Sequence, residues 1–233
     1  MTAHKTENES GHGSDVCPEC EGRGYTFWRD ENGILFSKTC KCEIIRQNRK
    51  RMERSGLSGI AGRYTFESYK TAEPWQMTAK EAAERYLEDW AGKWFFIGGT
   101  SGSGKTHLCT AICVKLMEGG IPVRYMQWRA DIPPIKAIVN DADRYKKAIE
   151  PLKNVKALYI DDFLKGKPSE GDLNVAFELI NHRYIDQRKI TIISSEMTLD
   201  KIIKWDEATG GRIAERAEDF TFNLSGKKNW RLK

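Results

Sequence analysis

The chain has 233 residues, with 38 Lys and Arg against 33 Asp and Glu for a net charge of +5; 39% are hydrophobic and 30% charged. That is enough length to bury a core, as one large domain or as a medium domain with a small module. No apolar run approaches the ~20 residues that cross a bilayer, and Met1–Asp15 has no apolar signal-peptide core, so the reading is a cytoplasmic protein with no membrane partner.

Residues 1–15, rich in Glu, Ser, Gly and His, predict a disordered tail. Residues 16–43 carry β-like runs at Tyr25–Arg29 and Ile34–Ser37, joined across Glu31-Asn32-Gly33, where Asn-Gly accepts the positive φ of a hairpin turn. A basic helix is expected over 43–55. Residues 16–55 therefore read as one small module, followed by a linker at 56–62 marked by Gly56, Gly59 and Gly62. From 63 to 233 the pattern alternates. Helices are expected at Pro74–Ala91, Lys105–Glu118, Asp141–Leu152, Asp172–Gln187, Thr198–Lys204 and Gly211–Ala217. Strands are expected at Trp94–Gly98, Val123–Trp128, Ala157–Asp161, Lys189–Ser194 and Phe220–Leu224. Near-continuous apolar strands between helices predict an α/β domain with a parallel five-stranded sheet covered by helices.

Gly99-Thr100-Ser101-Gly102-Ser103-Gly104-Lys105-Thr106 matches G-x-x-x-x-G-K-[ST] between a strand and a helix. The glycines let backbone N–H groups turn toward phosphate oxygens, and the helix that follows directs its positive end there. Lys105 supplies a charge for the β and γ phosphates of ATP, and Thr106 a hydroxyl for Mg2+. A partner element, an apolar strand ending in an acid, is present at Ala157-Leu158-Tyr159-Ile160-Asp161-Asp162. Asp161 is placed to reach the Mg2+ shell and Asp162 to polarise the attacking water. Asp162 is one methylene shorter than the Glu usual in that role, so the ATPase is expected to be slow and stimulated by a partner or by DNA. The strand Lys189–Ser194 ends in Ser195-Glu196, which reads either as a γ-phosphate sensor or as an ordinary strand-end turn.

Cys17-Pro18-Glu19-Cys20 and Cys40-Lys41-Cys42 form two knuckles that the hairpin would bring together. In a reducing compartment four thiolates in a coreless module suggest a structural Zn2+ in a zinc-ribbon-like fold, with a redox role for Cys17 and Cys20 as the alternative. Cys109 and Cys113, one helical turn apart, read as core residues. Arg212 and Arg216 share a helix face, and Arg231 follows the last strand. Each reads either as a stabiliser of phosphoryl-transfer charge or as a member of a surface ion pair. Lys41, Arg46, Arg49, Lys50, Arg51 and Arg54, and separately Lys227, Lys228, Arg231 and Lys233, form basic clusters. These suit either nucleic-acid phosphates or a solvated helix face.

The cysteine module, the phosphate loop, Asp161-Asp162, Ile193-Ser194-Ser195-Glu196, Gly211-Arg212-Ile213-Ala214-Glu215-Arg216 and Gly226-Lys227-Lys228-Asn229-Trp230-Arg231 together resemble, over nearly the whole chain, the bacterial replicative-helicase loaders of the DnaC/DnaI type, especially phage and prophage forms. These are AAA+ ATPases with a P-loop, RecA-like sheet. The resemblance implies that Arg216 is an arginine finger completing a neighbour's site in a nucleotide-dependent assembly. It implies that Arg231 is a second sensor within the same chain, and that Ser195 and Glu196 stand where many relatives carry Asn as a first sensor. It also implies that Arg129–Leu152, with Arg129, Lys136, Arg144, Lys146, Lys147 and nearby Lys153, meets single-stranded DNA, and that the zinc module grips a hexameric replicative helicase. Two alternatives share these motifs: a transposition ATPase of the IstB type, and a nucleic-acid-binding adaptor that holds ATP structurally.

Overall fold

The computed structural model describes residues 16–53 and 62–232. The tail expected over 1–15, residues 56–61 of the expected linker, Arg54 and Lys233 lie outside them. Contacts divide the chain into two compact units, the first ending at Glu43 and the second running from Ile44.

In the first unit β1 (Tyr25–Arg29) pairs antiparallel with β2 (Leu35–Thr39), with Trp28 opposite Phe36. The Asp30 carboxylate closes the turn by accepting the N–H groups of Asn32 (3.0 Å) and Ile34 (2.8 Å). Holding Ile34 in the turn moves the second strand one residue later than expected. The Trp28 and Phe36 rings stack at 5.7 Å, yet Trp28 is 49% and Phe27 54% exposed. The hairpin thus buries almost no apolar surface of its own, and buried side chains are found at Cys20 and Cys40.

Helix α1 (Lys41–Met52) begins in the first unit, and from Ile44 it belongs to the second. There Met52 enters the core and the Asn48 amide donates to the Ile121 carbonyl (3.1 Å). The expected basic helix exists: its first turn carries Cys42 in the first unit, and from Ile44 it packs with the second. The remaining elements alternate: α2 (Pro74–Glu88), β3 (Phe95–Gly99), α3 (Lys105–Glu118), β4 (Val123–Gln127), α4 (Trp128–Ala137), α5 (Ala142–Asn154), β5 (Ala157–Asp161), α6 (Glu170–Ile185), β6 (Ile190–Ser195), α7 (Leu199–Trp205), α8 (Glu207–Arg216) and β7 (Thr221–Leu224).

The five strands β3–β7 form one sheet in the order β4-β5-β6-β3-β7, every pair parallel. Every residue of β3, β5 and β6 is buried, which is why these strands read as unbroken apolar runs. Alternation sends Phe95, Ile97, Tyr125, Tyr159 and Ile192 to a face covered by α2 and α3. It sends Phe96, Met126, Leu158, Ile160 and Ile193 to a face covered by α4 to α8. No helix among the described residues is long and apolar enough to cross a membrane.

Two departures from the sequence reading have local causes. Helix α4 contains Pro133 and Pro134, which lack N–H groups and mask a helical pattern; burial of Trp128, Ile132 and Ile135 on one face holds it nevertheless. Helix α8 starts four residues earlier than expected, because Gly210 and Gly211 lie inside it. A Cβ on Gly210 would stand 2.7 Å from the Ile203 Cα, so that glycine permits close packing of α7 on α8 and is not a break.

One buried cation organises the edge of the second face. Arg183, fully buried on α6, donates to the carbonyls of Leu152 (2.9 Å) and Val155 (2.9 Å), to that of Ile190, and to the Thr191 hydroxyl (3.0 Å). Arg183→Met would keep much of the volume but leave these acceptors without donors. We expect it to lower unfolding stability by about 3 kcal/mol, read as a shifted urea midpoint at unchanged m-value.

Candidate functional site

The C-terminal ends of β3, β5 and β6 meet at one edge of the sheet, where ligands of open α/β folds lodge. A cleft of about 480 Å3 opens there, lined among others by Lys105, Thr106, Asp161, Asp162, Glu196 and Arg231. The loop Gly99–Thr106 forms its floor. Gly102 takes φ +72°, and a Cβ there would lie 1.8 Å from the Asn229 Oδ1, so neither the backbone angle nor the space admits a side chain. Ser103 folds back on the loop, its hydroxyl donating to the Thr100 carbonyl (2.8 Å).

The start of α3 is open. Side chains of Asp141, Ser169, Thr198 and Asp206 cap α5, α6, α7 and α8, whereas Gly104 gives α3 no side-chain cap. Its first-turn N–H groups therefore remain available to an external anion. Lys105 curls over the loop, donating to the carbonyls of Gly99 (2.9 Å) and Thr100 (2.7 Å). Burial pulls its pKa below the ordinary lysine value, against the opposing pull of Glu196 and Asp162. A phosphate that replaced the two carbonyls would supply the counter-charge this cation lacks.

Asp161, 4% exposed, is the hub of the cleft. Its carboxylate accepts hydroxyls from Tyr159 (2.8 Å), Tyr125 (3.1 Å), Thr106 (3.2 Å) and Ser194. Burial, with the neighbouring Asp161 charge, holds both tyrosines protonated far above their ordinary range. These tyrosines and Ser194 were missed in the sequence, where each reads as one more strand residue; the signal was alternation, which places Tyr159 and Asp161 on one side of β5. Asp162 points its carboxylate at Lys165 (3.0 Å), which also reaches Glu196 (2.9 Å). Tyr64, His107 and Trp230 complete the wall, with the Tyr64 ring stacked on His107 at 4.6 Å.

The two residues read as a sensor part company. Glu196 lines the cleft, but Ser195 is fully buried on the opposite side of β6. Its hydroxyl donates to the Phe163 carbonyl (2.8 Å) and accepts the Met197 N–H (3.0 Å). The expectation of a nucleotide contact from Ser195 is corrected: two-residue alternation assigns that face to Ser194. Arg231 does reach the cleft, carried there by the Trp230 N–H bonded to the Gly102 carbonyl (3.1 Å).

Arg216 is not a guanidinium standing free for a neighbour, nor a member of a surface ion pair. It donates to the carbonyls of Gly92 (2.9 Å), Tyr184 (2.9 Å), Gln187 (3.1 Å) and Lys189 (3.1 Å) and lies over the Trp94 ring at 5.3 Å. A planar five-donor fork suits such a cluster of carbonyls, and any role toward another subunit would require their release. Arg212 is also engaged, with Asn181 (2.9 Å) and the Ala208 carbonyl (2.7 Å), beside the rings of Phe177 and Tyr184. Of the cations read as DNA contacts, Lys136 pairs with Asp172 (2.8 Å) and Lys153 with Glu178 (2.6 Å), while Arg129, Arg144, Lys146 and Lys147 are exposed.

In the first unit the Sγ atoms of Cys17, Cys20, Cys40 and Cys42 all lie within 4.8 Å of one another. Cys17 stands 3.7 Å from Cys40 and Cys20 3.4 Å from Cys42. Zn–S bonds of about 2.3 Å in a tetrahedron require sulfur separations of about 3.8 Å, so the set fits a zinc ion. Cys109 and Cys113 lie on α3, fully buried in the core, as expected.

The chain matches the family described as IstB-like ATP binding protein over residues 40–215, a span that includes the phosphate loop and Asp161. It is 28% identical over 224 residues to the phage-like element PBSX protein XkdC of Bacillus subtilis strain 168, covering 90% of this chain and 82% of that one. It is 25% identical over 199 residues to the replicative helicase loader DnaC of Escherichia coli K12, covering 84% and 80%. In fold it superposes on the crystal structure of the DnaC helicase loader with a TM-score of 0.57 at 18% identity, over 69% of this chain and 95% of that one. It superposes also on the replication initiator DnaA bound to AMPPCP and single-stranded DNA, with a TM-score of 0.55 at 23% identity, over 70% of this chain but 49% of that one. The fold is thus shared with the DnaC helicase loader and with DnaA, and the chain belongs to the family of IstB-like ATP binding proteins.

Proposed function

We propose that this protein is an ATP-dependent loader that places a hexameric replicative helicase on single-stranded DNA. The observation that carries the proposal is the convergence, in one cleft, of an uncapped helix start, Lys105, Thr106 and the buried Asp161, in a chain whose similarity to a replicative helicase loader extends over most of its length.

On this reading Lys105 and the N–H groups of Gly102 to Thr106 bind the β and γ phosphates, and Arg231 approaches them from the C-terminal segment. Mg2+, which Thr106 and Asp161 would hold, offsets phosphate charge. Tyr125, Tyr159 and Ser194 keep the Asp161 carboxylate in one orientation. Asp162 accepts a proton from the attacking water as its oxygen bonds to the γ phosphorus and the bond to the β–γ bridging oxygen breaks, giving ADP and inorganic phosphate. Glu196 replaces Ser195 as the residue beside the γ phosphate. Nucleotide-dependent self-association would order the loader. Arg129, Arg144, Lys146 and Lys147 would meet DNA phosphates, a contact that weakens steeply with salt. The cysteine hairpin, held by Zn2+, presents Phe27, Trp28 and Leu35 to solvent, an apolar surface suited to a protein partner such as the helicase. The match to the IstB-like family supports a second reading, a transposition ATPase built on the same core.

Three measurements test these readings. Capture of the host's replicative helicase should depend on nucleotide and on Cys17–Cys42; failure in ATP, in ADP and without nucleotide, with capture of a transposase instead, would favour the second reading. Lys105→Ala should weaken ATP binding by about 100-fold in titrations with a fluorescent analogue while the circular dichroism stays unchanged. Retention of nucleotide-controlled assembly by that variant would instead favour an adaptor in which ATP is structural. Chelation should remove one zinc per chain and abolish helicase capture yet leave ATP affinity unaltered, and Cys20→Ser should reproduce both effects.

A further inference from the structure

The turn after β5 holds two non-glycine residues in left-handed backbone, Asp162 at φ +55° and Leu164 at φ +51°. Such conformations are strained and persist where the surroundings enforce them. The enforcing contacts come from the end of β6. The Phe163 N–H donates to the Ser194 carbonyl (2.8 Å), the Asp162 N–H to the Ser194 hydroxyl (3.2 Å), and the Ser195 hydroxyl to the Phe163 carbonyl (2.8 Å). A further bond from the Lys165 N–H to the Asp162 carbonyl (3.1 Å) closes the turn. Lys165 is thereby turned back over the acid that precedes it.

The Lys165 ammonium lies 3.0 Å from Asp162 Oδ2 and 2.9 Å from Glu196 Oε1, with all three side chains about 25% exposed. Both carboxylates and the ammonium line the cleft that holds Lys105 and Thr106. An ion pair confined to one surface turn contributes little. This one joins the ends of two strands, is held by a strained turn, and covers the carboxylate that faces the phosphate loop.

We propose that Lys165 is a positioning residue that latches the acidic pair: in the nucleotide-free chain it engages Asp162 and Glu196 together, and Asp162 can take a proton from water only when the γ phosphate draws the ammonium away. The inference rests on the ATP reading above. A γ phosphate carries the charge to compete for Lys165, so the same group that supplies the substrate also releases the base. Burial alone would raise the Glu196 carboxyl, and Lys165 overrides it to hold that group below its ordinary value. Without Lys165 the two carboxylates would face the cleft with no cation between them.

The test is single-turnover hydrolysis of ATP by the full chain, with ATP binding measured separately. Lys165→Met should raise the hydrolysis rate about fivefold, the fold-change equivalent to about 1 kcal/mol. Lys165→Arg, which keeps the cation, should hydrolyse ATP as the unmodified chain does. A Lys165→Met rate that is unchanged or lower overturns the latch while ATP binding stands. Absence of ATP binding by the unmodified chain overturns the ATP reading and the latch with it.

Discussion

A carboxylate removed from water must be given hydrogen-bond donors, and those of Asp161 come from four separate elements. Tyr125 reaches it from β4, Tyr159 from β5, Ser194 from β6 and Thr106 from α3. Tyr159 reaches it along its own strand, and the other three approach Asp161 together only when β4, β5 and β6 lie side by side in register and α3 crosses the adjoining face. The carboxylate thus ties the correctness of the sheet to the shape of the cleft: a slip of one residue in β5 would turn Asp161 to the other face and strand the hydroxyls of Tyr125, Ser194 and Thr106. Networks of this kind specify one arrangement because a partly satisfied version is costly.

What could be read from the sequence was local. The phosphate loop and Asp161 were legible because their chemistry needs fixed residues at fixed spacing, and the parallel sheet because its strands are apolar on both faces. Ser195 was misread because choosing between it and Ser194 requires the phase of β6, which an unbroken buried run does not display. Lys165 escaped notice because its position depends on two left-handed residues, and neither Asp162 nor Leu164 announces that conformation. Arg216 was legible as a candidate on its helix face, but its four carbonyl partners lie at the end of α6 and in two loops that only tertiary structure assembles.

The two units use opposite strategies of stabilisation. The second buries apolar residues on both faces of a sheet and needs no ligand to account for its core. The first has a hairpin whose large side chains face water, and among its described residues the buried side chains belong to the converging thiols. Thiols so placed suit coordination, which can supply the cohesion that a small module without an apolar core lacks.

The place of β7 has a consequence for how the protein is made. The Thr100 N–H at the mouth of the phosphate loop bonds to the Leu224 carbonyl, and the Gly102 carbonyl accepts the Trp230 N–H. A strand and segment synthesised long after β3 therefore give the loop its final support. During translation the early helices and β3 must wait, unpaired on one edge, until residues beyond 220 emerge from the ribosome, and the slowest contacts to form are those of longest sequence separation. Competence to bind nucleotide thus arises last in the life of the nascent chain, so a polypeptide still on the ribosome or truncated within its final segment would carry a complete phosphate-loop sequence without the support that shapes it.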